Sequence, residues 1–324
     1  MMHFNFIRIL KDWTLPVAMT TGTLGYLLFA NIDVLDPIAR QAGPVFDKIL
    51  PIFMFMILFV TFCKVDFHKM RPVRWHLWAS LIQIFLIVVA MALILAYRLS
   101  GNALIFMEAV LVCIVAPCAA AAPVVTQKLG GNLEEMTTYT FLSNFITVIF
   151  IPICFPLIEK AEHITFWQAF FSILYQVTLV LVVPMLLAYF VKHFLKKLHR
   201  RIVSVKDLSY YLWGISLVIV TGTTVKNICH ADTSVFFLMA TALTTFAICL
   251  GQYAVGRWVG RRFGRTNEVG QALGQKNTAF AIWIAYTYLS PLSSVGPGCY
   301  ILWQNTVNSI EIYQYKKAGK LQKS

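Results

Sequence analysis

The chain has 324 residues, of which 59% are hydrophobic and only 13% are charged, and its mean hydropathy is +0.71. A soluble globular chain carries about 25% charged residues, so this composition excludes an ordinary soluble protein and indicates a membrane protein. The net charge of +13 does not indicate a nucleic-acid-binding protein, because the basic residues lie in short segments between apolar stretches.

Ten apolar stretches of about 18–25 residues follow one another, and each is long enough to cross a bilayer. The sequence therefore predicts an all-α integral membrane protein with ten transmembrane helices and the lipid bilayer as its surroundings. No small-residue cleavage site follows the first stretch, so we interpret it as a retained helix. The stretches are approximately residues 13–31, 45–63, 76–97, 103–126, 135–157, 166–191, 207–227, 233–256, 268–288 and 292–314.

Lysine and arginine are distributed unequally between the two sides of this predicted bundle. With ten spans both termini lie on one side, which carries 21 of the 27 basic residues, while five lie on the other side and Lys276 lies within the membrane. The positive-inside rule then places both termini in the cytoplasm, and we expect the protein in the plasma (inner) membrane. The five residues on the other side are Arg40, Lys48, Arg98, Lys160 and Lys226.

Motifs of other function classes are missing from the sequence. The seven cysteines contain no Cys-x-x-Cys pair, which indicates neither a disulfide framework nor a zinc site. No metal-ligand cluster or Ser-His-Asp set predicts an enzyme, no signalling domain predicts a sensor, and no filter sequence predicts a channel. We expect no cofactor, and nothing indicates a protein partner.

The fourth stretch contains Pro117 and Pro123 with small residues between them, and Glu108 lies near its start. Each proline removes a backbone donor and clashes with the preceding turn, so the helix either kinks or unwinds here. Glu108 either pairs with Lys276 or is hydrated at the outer end of the helix.

The fifth stretch is polar on one side, where it carries Thr137, Thr138 and Thr140. Such side chains join helices to one another or line a cavity, and here we favour cavity lining. The tenth stretch carries a similar set, Gln304, Asn305, Thr306, Asn308 and Ser309, for which both interpretations stay open.

The ninth stretch is interrupted at residues 270–280 by two glycines and a run of polar residues, including Gln275, Lys276, Asn277 and Thr278. A charge at membrane depth costs about 2.5–3.5 kcal/mol, and irregular polar backbone is tolerated there only inside protein or along a cavity. The interruption therefore predicts a working site.

The breaks in the fourth and ninth stretches occupy corresponding positions five spans apart. An odd number of spans per repeat inverts the second copy, so residues 1–161 and 162–324 are predicted to be inverted repeats. Matched broken helices are typical of secondary transporters, in which substrate or ion binds near the midplane.

At three places the chain resembles the bile acid:sodium symporter superfamily. They are residues 66–72 followed by Gln83, the stretch from Gly131-Asn132 to residues 136–140, and residues 274–279, which are similar to the family motif Gly-x-Gln-Asn-Ser/Thr-small. The resemblance implies a core domain of about residues 76–157 and 233–314, in which the broken helices cross. It implies a panel domain of about residues 13–63 and 166–227, a substrate cleft between the two, and the transport of organic anions.

The chain departs from this family at positions where the resemblance implies sodium ligands. A family glutamate corresponds to Ala272, the motif glutamine corresponds to Lys276, and a Ser-Asn pair corresponds to Ala122 and Pro123. Gln83, Thr140 and Asn277 remain at family ligand or motif positions.

Three roles are open for Lys276: its ammonium replaces sodium, it binds an anionic substrate, or it reaches an interface. We favour the first role. The expected function is therefore secondary active transport of a small organic anion, with proton coupling or uniport favoured over sodium symport. The alternatives are a sodium-coupled symporter with altered ion sites and a membrane sensor that transports nothing.

Overall fold

The computed structural model describes residues 14–32, 36–159, 164–205, 208–230 and 233–321. Within these residues the regular structure is helical, without a β-strand. The first seven helices are α1 Thr14–Asn31, α2 Asp36–Cys63, α3 Arg74–Ala96, α4 Gly101–Val115, α5 Ala122–Lys128, α6 Leu133–Ile158 and α7 Phe166–Leu181. The next seven are α8 Val183–Phe194, α9 Lys196–Ser204, α10 Leu208–Cys229, α11 Val235–Arg261, α12 Thr266–Gly274, α13 Thr278–Tyr288 and α14 Val295–Leu321. Short 3-10 helices cover Phe67–Lys69 and Pro291–Ser294.

Four helical segments are long and apolar enough to cross a membrane: Arg74–Ala96, Leu133–Ile158, Phe166–Phe194 and Val235–Arg261. They project large apolar side chains outward, and Phe236 is 81% exposed. Apolar surface of this kind fits a lipid environment. The prediction of an all-helical chain with membrane-spanning segments therefore holds for the described residues, while the count of ten spans and the inverted repeats stay predictions.

Both predicted helix breaks are present. The fourth stretch is divided into α4 and α5 by residues 116–121, and the ninth into α12 and α13 by residues 275–277. Pro117 lies within the first break. Pro123 lies in the first turn of α5, where a proline costs the helix no hydrogen bond. The two prolines therefore have different effects, since Pro117 lies in the unwound segment and Pro123 begins the next half-helix.

Three local features differ from the sequence-based expectations. The second helix begins at Asp36, nine residues before the predicted apolar stretch. The sixth stretch is divided at Val182, two residues before Pro184, into α7 and α8. The basic segment after it forms the short helix α9, in which none of the residues is buried. Hydropathy marks the apolar part of a helix, so it does not report polar helical ends.

Most of the large helix contacts fall into two groups, which the contact between α6 and α7 joins. The pairs α1 with α10, α2 with α10, and α2 with α8 make extensive contacts. In the other group α11 packs on α12 and α14, α3 packs on α4 and α6, and α4 packs on α14. The two broken helices both belong to the second group. This packing brings the breaks together and places them beside α2 and α10.

Candidate functional site

The two helix breaks pair with each other through their backbones. Cys118 and Lys276 form an isolated antiparallel bridge. On either side of it, Ala119 N donates to Gln275 O at 2.9 Å, and Asn277 N donates to Pro117 O at 2.8 Å. Each break thus supplies partners for backbone groups that unwinding leaves without intrahelical bonds, as burial in an apolar environment requires.

Side chains of α6 bind backbone groups of the first break and of the end of α4. Cys118 N donates to Ser143 Oγ at 2.9 Å, and Thr147 Oγ1 donates to Val115 O at 2.8 Å. Both side chains come from α6 and are fully buried. The polar side of the fifth stretch therefore holds the end of α4 and the unwound segment in place.

Residues of α14 do the same for the second break. Gln304 Oε1 accepts a hydrogen bond from Lys276 N at 2.8 Å, and Gln304 Nε2 donates to Lys276 O at 3.1 Å. Tyr300 OH donates to Gly274 O at 2.8 Å. For Gln304, this contact favours helix joining over cavity lining.

Lys276 itself is 2% exposed, and its Nζ donates to Ile114 O at 3.1 Å. Ile114 lies in the last turn of α4, the helix that precedes the first break. The Lys276 side chain, which comes from the second break, therefore binds the C-terminal end of α4. A cation is favourable at the C-terminal end of a helix, where unsatisfied carbonyls carry partial negative charge. Among the described ion pairs, none joins Lys276 to a carboxylate.

Gln275 is fully buried, and neither the oxygen nor the nitrogen of its side-chain amide has a hydrogen-bond partner. Its neighbours Asn277 and Thr278 are partnered. Asn277 Oδ1 accepts from Phe280 N at 3.2 Å and so caps α13, and Thr278 Oγ1 accepts from Gln304 Nε2 at 3.4 Å. Gln275 therefore keeps both its side-chain donor and its side-chain acceptor unused inside the protein.

A cavity of about 30 Å³ lies beside Lys276. Its walls come from both breaks, at residues 119–121 and 276–279, and from α2 and α10, which contribute Leu58, Trp213 and Leu217 among others. Ligand pockets have volumes of about 300–1,000 Å³, so this space has room for water and not for an organic molecule.

Gln83 joins α3 to the same network. Its Oε1 accepts from Tyr139 OH and from Ser143 Oγ, both at 3.2 Å, and its Nε2 donates to Ala116 O at 3.4 Å. The structure thus places Gln83 against the first break.

The three threonines of the fifth stretch are placed differently. Thr137, Thr138 and Thr140 are buried, and their hydroxyls donate to carbonyl oxygens of their own helix four residues earlier, at 2.7–3.0 Å. None of them borders the cavity beside Lys276. Thr140 alone approaches the break, with its Oγ1 3.8 Å from Cys118 Sγ.

Glu108 neither pairs with Lys276 nor is hydrated, which corrects both sequence-based alternatives. Its side chain is fully buried, and Oε2 accepts from Ser290 N at 3.3 Å. Lys276 binds Ile114, which lies six residues and about 9 Å further along α4. The two ionisable groups therefore belong to different parts of the core.

A second polar cluster lies at the start of α6. Arg265, in the turn before α12, makes a bidentate contact with Glu135, with Nε–Oε2 and Nη2–Oε1 distances of 2.8 Å. These bonds raise the pKa of Arg265. Trp75 Nε1 also donates to Glu135 at 2.8 Å, and Glu268 accepts from Asn132 N at 2.9 Å. The cluster joins α3, α6 and α12 at one end of the core.

Sequence reasoning missed Tyr300 and the cluster of Glu135 and Arg265. Tyr300 gave no signal, since a tyrosine in an apolar stretch is common. In the sequence, Glu135 and Arg265 stand out only as charged residues near the ends of predicted spans. Within the described residues no group of three or more histidine, cysteine or acidic side chains could hold a metal ion.

One family model matches the chain over residues 51–231, and its description is the sodium bile acid symporter family. The match covers more than half of the 324 residues and includes α3 to α10 and the first break. A search of curated proteins finds no match.

Proposed function

Because the chain belongs to the sodium bile acid symporter family, we propose that it is a secondary active carrier of a small organic anion. In this proposal the carrier needs no sodium, and it is not an enzyme. The observation that carries the proposal is the position of Lys276. Its ammonium is buried where the two helix breaks meet and bonds the carbonyl end of α4. In our proposal this fixed charge does what a bound sodium ion would do at the same junction.

Electrostatics disfavours a sodium ion beside Lys276. Two unit charges 4 Å apart repel by about 4 kcal/mol at an effective dielectric constant of 20. That repulsion would weaken sodium binding by about a thousandfold. The resemblance also implies that Ala272 replaces a carboxylate ligand, so the site has gained a positive charge and lost a negative one.

We further propose alternating access between the two groups of helices. The cavity beside Lys276 is bordered on one side by the two breaks and on the other by Leu58 of α2 and by Trp213 and Leu217 of α10. At about 30 Å³ it is closed to any organic anion. Substrate entry would then require α2 and α10 to separate from the breaks, which fits a core moving against a panel. Ten spans in two inverted repeats, with both termini in the cytoplasm, belong to the same proposal.

The anion is proposed to bind in the opened cleft, near Lys276 and the unpartnered amide of Gln275. An ammonium attracts an anion through the low-dielectric surroundings, and the amide adds a donor. Gln83, Asn277, Thr278 and the residues around Pro117 would hold the junction. In this proposal Thr137, Thr138, Thr140 and Pro123 support its helices, and a proton is the coupling ion.

The test compares thermal unfolding of the purified protein in sodium chloride and in choline chloride at equal ionic strength. A ligand that binds only the folded state raises its stability with increasing occupancy. We expect equal unfolding temperatures in the two salts. In proteoliposomes we expect bile acid uptake to be the same with either salt outside and to increase when the outside is acidified.

A saturable rise of the unfolding temperature in sodium chloride would overturn sodium independence and favour a sodium symporter with altered ion sites. Proteoliposomes without protein serve as the background for uptake. Absence of any saturable uptake by folded protein, across several organic anions, would count against a carrier and favour a sensor.

A further inference from the structure

Two carboxyl groups meet at the end of the core remote from the Glu135 cluster. Glu108 lies in α4 and is fully buried, and Glu159 follows the last residue of α6. Ser290 N donates to Glu108 Oε2, but Glu108 Oε1 receives no hydrogen bond. The side chain of Glu159 lies within hydrogen-bonding reach of Glu108.

Two ionised carboxylates cannot share such a position without a cation between them. Like charges at hydrogen-bonding distance repel strongly, and a buried carboxylate that lacks a donor loses much of its solvation. One shared proton removes both problems, because a protonated carboxyl group donates to the ionised one. Carboxyl pairs in close contact hold a proton in this way.

The pair lies at the edge of a cavity of about 750 Å³ between the ends of α6, α7 and α13. Glu159 lines it directly, and Gln168, Ser172 and Thr287 contribute polar groups. Ser290, which binds Glu108, also borders it. The cavity gives the pair a route for proton exchange with water, while Glu108 stays within the protein.

We propose that Glu108 and Glu159 form a proton-binding site at this cavity, with one proton shared between their carboxyl groups. Nothing in this inference depends on Lys276 or on sodium. If the chain is a carrier, the site offers a place where a proton is bound at one face of the core.

Other charged groups do not account for the pair. The helices α3, α6, α11, α13 and α14 and the segment Pro291–Ser294 pack against α4. Within the described part of these elements, Glu159 is the titratable side chain in contact with Glu108. Tyr288 lines the same cavity, and the Lys276 ammonium binds Ile114 O, about 9 Å further along α4 than Glu108. Lys160, Glu162 and His163 lie outside the described residues.

Infrared spectroscopy detects the proton directly, since a protonated carboxylic acid has a carbonyl stretch that carboxylates lack. We expect this band in the wild-type protein at neutral pH. Glu108→Gln should abolish it, because the new amide donates to Glu159 and no proton is needed. Glu134→Gln is the matched control, since Glu134 is 41% exposed and should leave the band unchanged. A missing band in the wild type, or one that survives in E108Q, would overturn the proposal.

Thermal unfolding across about pH 6–9 provides a second readout. The folded protein binds a proton that the unfolded chain releases in this range, so wild-type stability should fall as the pH rises. E108Q and E159Q should each flatten this dependence, and E134Q should retain it. Equal slopes in all four proteins would contradict the proposal. So would a metal cation that stabilises the wild type but not E108Q while the acid band is absent.

Discussion

Cys118 and Lys276 face each other across an antiparallel backbone bridge, although 158 positions separate them in the chain. Each lies in a helix break, and each break supplies hydrogen bonds that the other needs. The Lys276 side chain reaches past the bridge to Ile114 O. One residue thus joins both breaks through its backbone and the end of α4 through its charge.

Reversing the two departures from the family motif should create a response to sodium. In Ala272→Glu combined with Lys276→Gln, the carboxylate returns and the repelling ammonium is removed. At a sodium concentration ten times the dissociation constant, we expect a stability gain of about 1.4 kcal/mol over choline. Thermal unfolding in the two salts measures it. Wild type and Lys226→Gln are the controls, and a folded double variant indifferent to sodium would argue against the ligand assignment.

Replacing Gln304 should destabilise the junction. Gln304→Leu keeps most of the side-chain volume but removes the partners of Lys276 N and Lys276 O. Buried groups left without partners cost about 1–3 kcal/mol each, so we expect a loss of about 3 kcal/mol in unfolding free energy. Denaturant titration measures the loss. Thr306→Val, at an exposed position two residues later, should change it by less than about 0.5 kcal/mol. Equal effects of the two substitutions would contradict the contact.

Gly274 should not tolerate a side chain. A Cβ atom at this position would collide with the ring of Tyr253, which is itself fully buried. Overpacking of this kind costs about 1–3 kcal/mol, so Gly274→Ala should lower the unfolding temperature. Gly251→Ala is the matched control, because nothing lies within 4 Å of the new methyl group and alanine favours a helix interior. We expect the control to be neutral or stabilising, and a neutral G274A would mean that α11 and α12 are less closely packed.

The Glu135 side chain should contribute more to the free energy of unfolding than the side chain of Glu134. Glu135→Gln replaces a carboxylate that accepts hydrogen bonds from Arg265 and Trp75. Hydrogen bonds to charged groups contribute about 1.5–3 kcal/mol, and partial exposure of Arg265 places the expected loss near 2 kcal/mol. Glu134→Gln, next in sequence and more exposed, should cost less than about 0.5 kcal/mol. If the order of the two losses were reversed, Glu135 would not be the residue that binds Arg265.

The sequence by itself determined the class of the protein and the positions of both helix breaks. Runs of apolar residues can only be accommodated in lipid or in a core, so length and hydropathy predict helices that cross a membrane. Prolines and a polar, glycine-containing interruption predict unwinding because they act on the backbone locally. The resemblance in the motif around Lys276 likewise needed only adjacent residues, and the family match confirms the family.

Only the tertiary structure decided which groups meet. The partners of Lys276 are Ile114, Cys118 and Gln304, and nothing in the spacing of the chain relates these positions. Glu108 could be placed beside Lys276 or in water from the sequence, whereas packing buries it against Ser290 and Glu159. Hydrogen bonds between distant residues depend on how helices rotate and pack, which hydropathy and local propensity do not encode.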